Sequence, residues 1–211
     1  MNHAGLADLY VQLEAVVPPG WVALPLAHDV DPEAWARADV ERASVGVEPA
    51  STSVGAEVAA GLLALAVLRA RYLWDGDVAA ALSLAFQPDP LGRVLAVLDA
   101  AVFPLEDRPV TPDRVLGLGS DHGGIVGSVD VAEVDLPAGP AVRYAARLAA
   151  SPDAEEPTSA QVAEAIALIV TPGELPGFVL VEAQWADPTL SDAISAEVDA
   201  IAAGLRLEFR Q

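Results

Sequence analysis

The chain has 211 residues, 53% of them apolar, enough to bury a full hydrophobic core. Its formal charge of −20 disfavours polyanions, and its 11 basic residues, all arginine, are scattered along the chain. Both features argue against nucleic acid or an anionic membrane surface as a partner. The absence of cysteine excludes disulfides, thiolate catalysis and cysteine-ligated zinc.

The first residues lack a basic region ahead of an apolar stretch and reach an acid at Asp8, so no signal peptide is expected. Leu6, Leu9, Tyr10 and Leu13 fall at helical spacing and predict a helix over 6–16, stopped by Pro18-Pro19-Gly20. The segment from Trp21 to Leu26 contains Pro25, which withholds a ladder hydrogen bond, so an edge strand is expected. Asp31-Pro32-Glu33 supplies an N-cap, a proline at the first helical position and an acid in the first turn, predicting a helix over 32–43. A small-residue linker with Pro49 leads into the strongest predicted helix, 55–74. Leu62, Leu63, Leu65, Ala66, Leu68 and Leu73 make it apolar nearly all round, so it is either buried on several sides or covered by a partner. Its most apolar run, Val58 to Leu68, is about half a membrane span, and no membrane insertion is expected.

After the turn Trp74-Asp75-Gly76-Asp77 the pattern becomes β. Residues 78–87 and 93–103 are expected to form a hairpin around Pro88-Asp89-Pro90-Leu91-Gly92. Thr111-Pro112-Asp113 caps a short helical turn, and a glycine-rich loop runs from Gly117 to Gly124. Residues 126–136 and 141–148 form the clearest hairpin, closed by Pro137-Ala138-Gly139-Pro140; an acidic loop follows over 151–158. Residues 165–171 and 178–185 form another hairpin. Asp187-Pro188 starts a last helix with Leu190, Ile194, Val198 and Ile201 at steps of four, four and three. Gly204 ends it, and Leu205, Leu207 and Phe209 alternate as a final strand of the sheet. The order predicts one α+β domain over 1–211, an antiparallel sheet of about six to seven strands flanked by helices, with a helix-rich portion over 1–77.

Three pieces carry a resemblance: Pro19-Gly20-Trp21-Val22-Ala23-Leu24-Pro25-Leu26, Leu136-Pro137-Ala138-Gly139-Pro140-Ala141-Val142-Arg143, and the strand-helix-strand close from Phe178. In this order they resemble the PsbP-like α/β sandwich superfamily, and within it small actinobacterial proteins. The resemblance implies an antiparallel sheet flanked by helices and a binding or accessory role without catalysis. No site residue is carried over from it.

The residues themselves offer little catalytic chemistry. Ser120-Asp121-His122 places three triad residue types side by side, but triads are assembled by folding and not by adjacency. The glycine spacing around them fits neither a nucleophile elbow nor a dinucleotide fingerprint. His28, Asp29, Asp31 and Glu33 suit a divalent ion by type, yet Asp31 and Glu33 are accounted for by the helix start. His3 lies near the chain's first residue and adds nothing to that set. Asp75-Gly76-Asp77 lacks the later ligands of a calcium loop. Trp35 and Trp185 are expected in the core or at its edge.

The expectation is therefore a cytoplasmic, non-enzymatic interaction or accessory module without cofactor or metal, of the kind that serves a secretion or assembly system. Its partner is another protein or a second copy, with Trp21, Leu62, Leu65, Leu68 and Trp74 as binding residues; the alternative location is outside the cell, by export without a classical signal. The alternative is a small-molecule binder or hydrolase-like enzyme using the loop from Gly117 to Gly124.

Overall fold

A computed structural model describes residues 10–45, 52–74, 78, 80–104, 125–149, 162–173 and 177–210. Strands β2 (Trp21–Ala23), β3 (Ala80–Phe86), β4 (Ala96–Pro104), β5 (Ile125–Leu136), β6 (Gly139–Ala149), β7 (Val162–Val170) and β8 (Gly177–Trp185) form one antiparallel sheet in the order β2-β3-β4-β8-β7-β6-β5. The sheet and its helices establish the expected α+β class. The three expected hairpins are present: β3 pairs with β4, β5 with β6 and β7 with β8. As Pro25 requires, β2 is short and lies at an edge.

The turn between β5 and β6 depends on one glycine. Gly139 has φ +141°, and a Cβ there would lie 2.7 Å from the Thr171 carbonyl oxygen. Only glycine combines that backbone with so close an approach.

Two corrections concern the chain ends. The helix expected over 6–16 is, over its described part, strand β1 (Tyr10–Glu14). The last strand, β9 (Arg206–Arg210), does not join the large sheet but pairs antiparallel with β1, with Leu13 opposite Leu207. Tyr-Val-Gln-Leu-Glu also alternates with period two, and a partner nearly the whole chain away decides which period is realised.

The helices follow the sequence signals closely. Helix α1 (Pro32–Ala43) starts where Asp31 Oδ1 accepts from the N–H groups of Glu33 and Ala34 at 2.9 and 3.1 Å. Helix α2 spans Thr52–Leu73. A short 3₁₀ turn (Pro188–Leu190), capped by Asp187, leads into α3 (Ser191–Ala203). Ile194, Val198 and Ile201 of α3 are buried on the sheet, and Leu190 packs at the edge of the same cluster.

Along each strand alternate residues face opposite layers. One face carries Leu84, Leu98, Val102, Leu168, Val181 and Trp185, covered by α3 and the small β1-β9 sheet. On the other face α1 and α2 cover the β2-β3 end, where Ala59, Leu63, Val67 and Ala70 meet Leu24 and Ala85. The alanines on this stripe let α2 lie close to its neighbours. Fully burying Leu63 and Val67 contributes about 1.5–3 kcal/mol each.

Candidate functional surface on helix α2

Helix α2 is apolar on two sides. Its inner side is the stripe just described. On its outer side Val58, Leu65, Leu68 and Tyr72 are 55, 62, 52 and 85% exposed. With Gly61 they fall at steps of three, four, three and four, the spacing of a coiled-coil seam. Leu62 flanks this seam and is half-buried.

Beside the seam lies a groove of about 800 Å³ between α1 and α2. Its floor is made of small residues of α2, Ala60, Gly61 and Ala64, and its α1 wall is Val40. Glu33, Arg37, Glu41 and Glu57 place both charge signs around it. Nothing lies within 4 Å of the position a Cβ on Gly61 would take.

What holds α2 at this place is polar. Arg69 reaches round the helix to Asp99 of β4, Nη1 to Oδ2 at 2.5 Å, and Asp99 is 3% exposed. Trp74 Nε1 donates to Ser83 Oγ at 3.1 Å, and Ser83 donates to Asp99 Oδ1 at 2.6 Å. Arg71, also buried, donates from Nε to the Pro25 carbonyl and from Nη2 to the Val30 carbonyl, at 3.2 and 2.9 Å. Those bonds tie the C-terminal end of α2 to the connection between β2 and α1.

Directly opposite Asp99 on β8 stands Glu182, also buried. Burial pushes its carboxyl up to about 8. The Gln184 side-chain amide pulls it down, Asp99 pushes it up and Arg69 pulls it down. Beneath the same helix, then, Asp99 is paired with Arg69 while burial favours the protonated form of Glu182.

The five residues expected to bind a partner separate into two groups. Leu65 and Leu68 are at the surface, with Leu62 beside them. Trp21 is buried in the core, its ring 5.2 Å from that of Phe86 and its Nε1 donating to Glu197. Trp74 faces the sheet, its ring 6.1 Å from Phe103, so its role is to anchor α2. Val58 and Tyr72 were missed although the same spacing reaches them; reading the helix as apolar all round hid its two distinct faces.

Among the remaining candidates, Ser120, Asp121 and His122, with the loop from Gly117 to Gly124, lie outside the described residues, as do His3 and Asp75 to Asp77. The turn at Thr111-Pro112-Asp113 and the acidic loop at 151–158 also lie outside them. Asp31 serves as the α1 cap. Among the described residues no group of three or more histidine and acidic side chains is arranged to hold a metal ion.

A cavity of about 570 Å³ between β5, β6, β7 and the start of α3 is polar. Its arginines are occupied within the chain. Arg143 bonds Asp199 and Ser195 at 2.9 and 2.7 Å, and Arg147 meets Glu164 at 3.4 Å. Ser191 accepts from Trp185 Nε1 and donates to Glu164. This network joins α3 to the sheet.

Comparison of the chain with protein-family models, with curated proteins and with solved structures found no match. Among the described residues no helix is long and apolar enough to cross a membrane.

Proposed function

We propose that this chain is a non-enzymatic protein-interaction module of the PsbP-like type, working in the cytoplasm as an accessory to an assembly or secretion apparatus. Its docking surface is the outer face of α2. One observation carries this reading: Val58, Leu65, Leu68 and Tyr72 are more than half exposed on a single helical face. A large apolar seam in water is costly, and its usual use is association. The sheet beneath supports the role, because the Arg69–Asp99 and Arg71 bonds hold α2 by its inner and C-terminal sides and leave the seam outward.

The test is the double substitution Leu65→Glu with Leu68→Glu. Both side chains are exposed, so the far-ultraviolet spectrum and melting temperature should stay close to those of the unchanged chain. Association, read as solution mass and as specific co-purification from the native host, should be lost. Unchanged mass and unchanged co-purification in the folded double variant would overturn the proposal.

A further inference from the structure

The groove between α1 and α2 opens onto the exposed seam, because Leu65 and Leu68 line both. At its floor Gly61 leaves helix backbone uncovered, and a floor of small residues lets an incoming helix come close. Its rim is charged. Glu33 and Glu41 stand on the α1 side, four residues before and after Arg37, and Glu57 stands on the α2 side. Three acids against one arginine leave the rim negative. The other arginines of the two helices do not offset this, because each is engaged within the chain. Arg42 meets Asp39 at 2.8 Å, Arg69 meets Asp99, and Arg71 donates to the Pro25 and Val30 carbonyls.

Resting on the docking reading above, we infer that the partner is a cationic amphipathic helix of another protein, laid along α2 beside the α1 wall. Its apolar side chains, at steps of three and four, meet Val58, Leu65, Leu68 and Tyr72. Its flanking lysines or arginines meet Glu33, Glu41 and Glu57. The backbone selects a helix over a strand. Groups in the middle of α1 and α2 are bonded within those helices, and an added strand needs an open sheet edge. The seam from Val58 to Tyr72 is about 21 Å long, or about four turns of a docked helix. Charge selects the partner's sign. A second copy brings the same negative rim and the same −20, so two such faces repel. A cationic helix is drawn to the rim, which sets its rate of encounter and its register, while the seam supplies the apolar contact.

The probes are two fluorescein-labelled peptides of about 18 residues, long enough to cover the seam as helices. Both carry leucine at the seam spacing and alanine elsewhere, one with flanking lysines and its twin with flanking glutamates. In fluorescence anisotropy at about 0.15 M salt, the lysine peptide should bind one per chain and the glutamate twin at least about 10-fold more weakly. Leu65→Glu separates docking from simple attraction to an acidic protein. The added negative charge would tighten non-specific binding of the lysine peptide, whereas docking on the seam should weaken about 10-fold or more. Gly61→Leu fills the groove floor at an exposed position with open space around it, so the chain should fold and the lysine peptide should again bind more weakly.

Equal binding of the two peptides, or tighter binding of the lysine peptide to the Leu65→Glu chain, would overturn the cationic helix. A dimer of the unchanged chain that Leu65→Glu disperses would also overturn it, by placing a second copy on the seam, and would leave the docking reading standing. The same holds if neither peptide binds at about 1 mM while the Leu65→Glu, Leu68→Glu chain still loses its native association. No peptide binding, together with native association that the double variant keeps, would overturn both.

Discussion

At the scale of single residues, the most informative group is Glu182. Its carboxyl is buried, opposite Asp99, and raised from about 4.5 to about 8. The folded chain therefore holds a proton that the unfolded chain releases at lower pH. The associated stability is fully present below the ordinary carboxyl value and is lost as pH rises through about 8. Replacing Glu182 by Gln should remove this pH dependence. At pH 9 the variant should be the more stable chain by about 2–4 kcal/mol, read from urea unfolding at several pH values. A variant with the same pH slope as the unchanged chain would refute this account. None of this was legible in the sequence, where Asp99 and Glu182 are single acids in two apolar strands 83 residues apart. Only the register of β4 on β8 makes them neighbours.

At the scale of elements, local signals worked wherever a segment's own chemistry decides its ends. Asp31-Pro32 started α1 as the capping chemistry requires, and α3 ended at Gly204 as expected, although Gly204 keeps a right-handed backbone (φ −89°). Pro25 confined β2 to an edge, and the three hairpins followed their turn residues. The failure at Tyr10–Glu14 has a clear cause: a five-residue segment compatible with two periods takes the one its neighbour enforces. In α2 the sequence announced an apolar helix but not which side is covered. Leu63 is buried by the sheet, and Leu65, two residues on, is left to solvent. Gly61 yields a prediction that belongs to this scale. It is exposed, lies within the helix and has open space around it. Gly61→Ala should therefore raise the melting temperature of dilute protein, by up to about 1 kcal/mol in stability, because alanine is the better helix former. A lower melting temperature would mean that the glycine is needed within the chain itself.

At the scale of the whole molecule, charge is the dominant property. A chain at −20 repels itself and repels its own copies. Raising salt from about 0.05 to about 0.5 M shrinks the screening length from above 10 Å to a few ångströms. Stability and self-association should both increase, the first seen in thermal melts and the second in sedimentation. Self-association that weakens with salt would show attraction between opposite charges, and not apolar contact, to be the driving force.

Composition and local pattern were enough to determine the net charge, the α+β class, most element boundaries and the existence of an apolar helix, because these follow from side-chain chemistry within a few residues. Tertiary structure alone decided the pairing of β1 with β9, the buried position of Trp21, the burial of Glu182 opposite Asp99 and the seam that remains uncovered. Each of those depends on contacts between segments far apart in the chain. A segment's own periodicity does not say which distant segment it will meet.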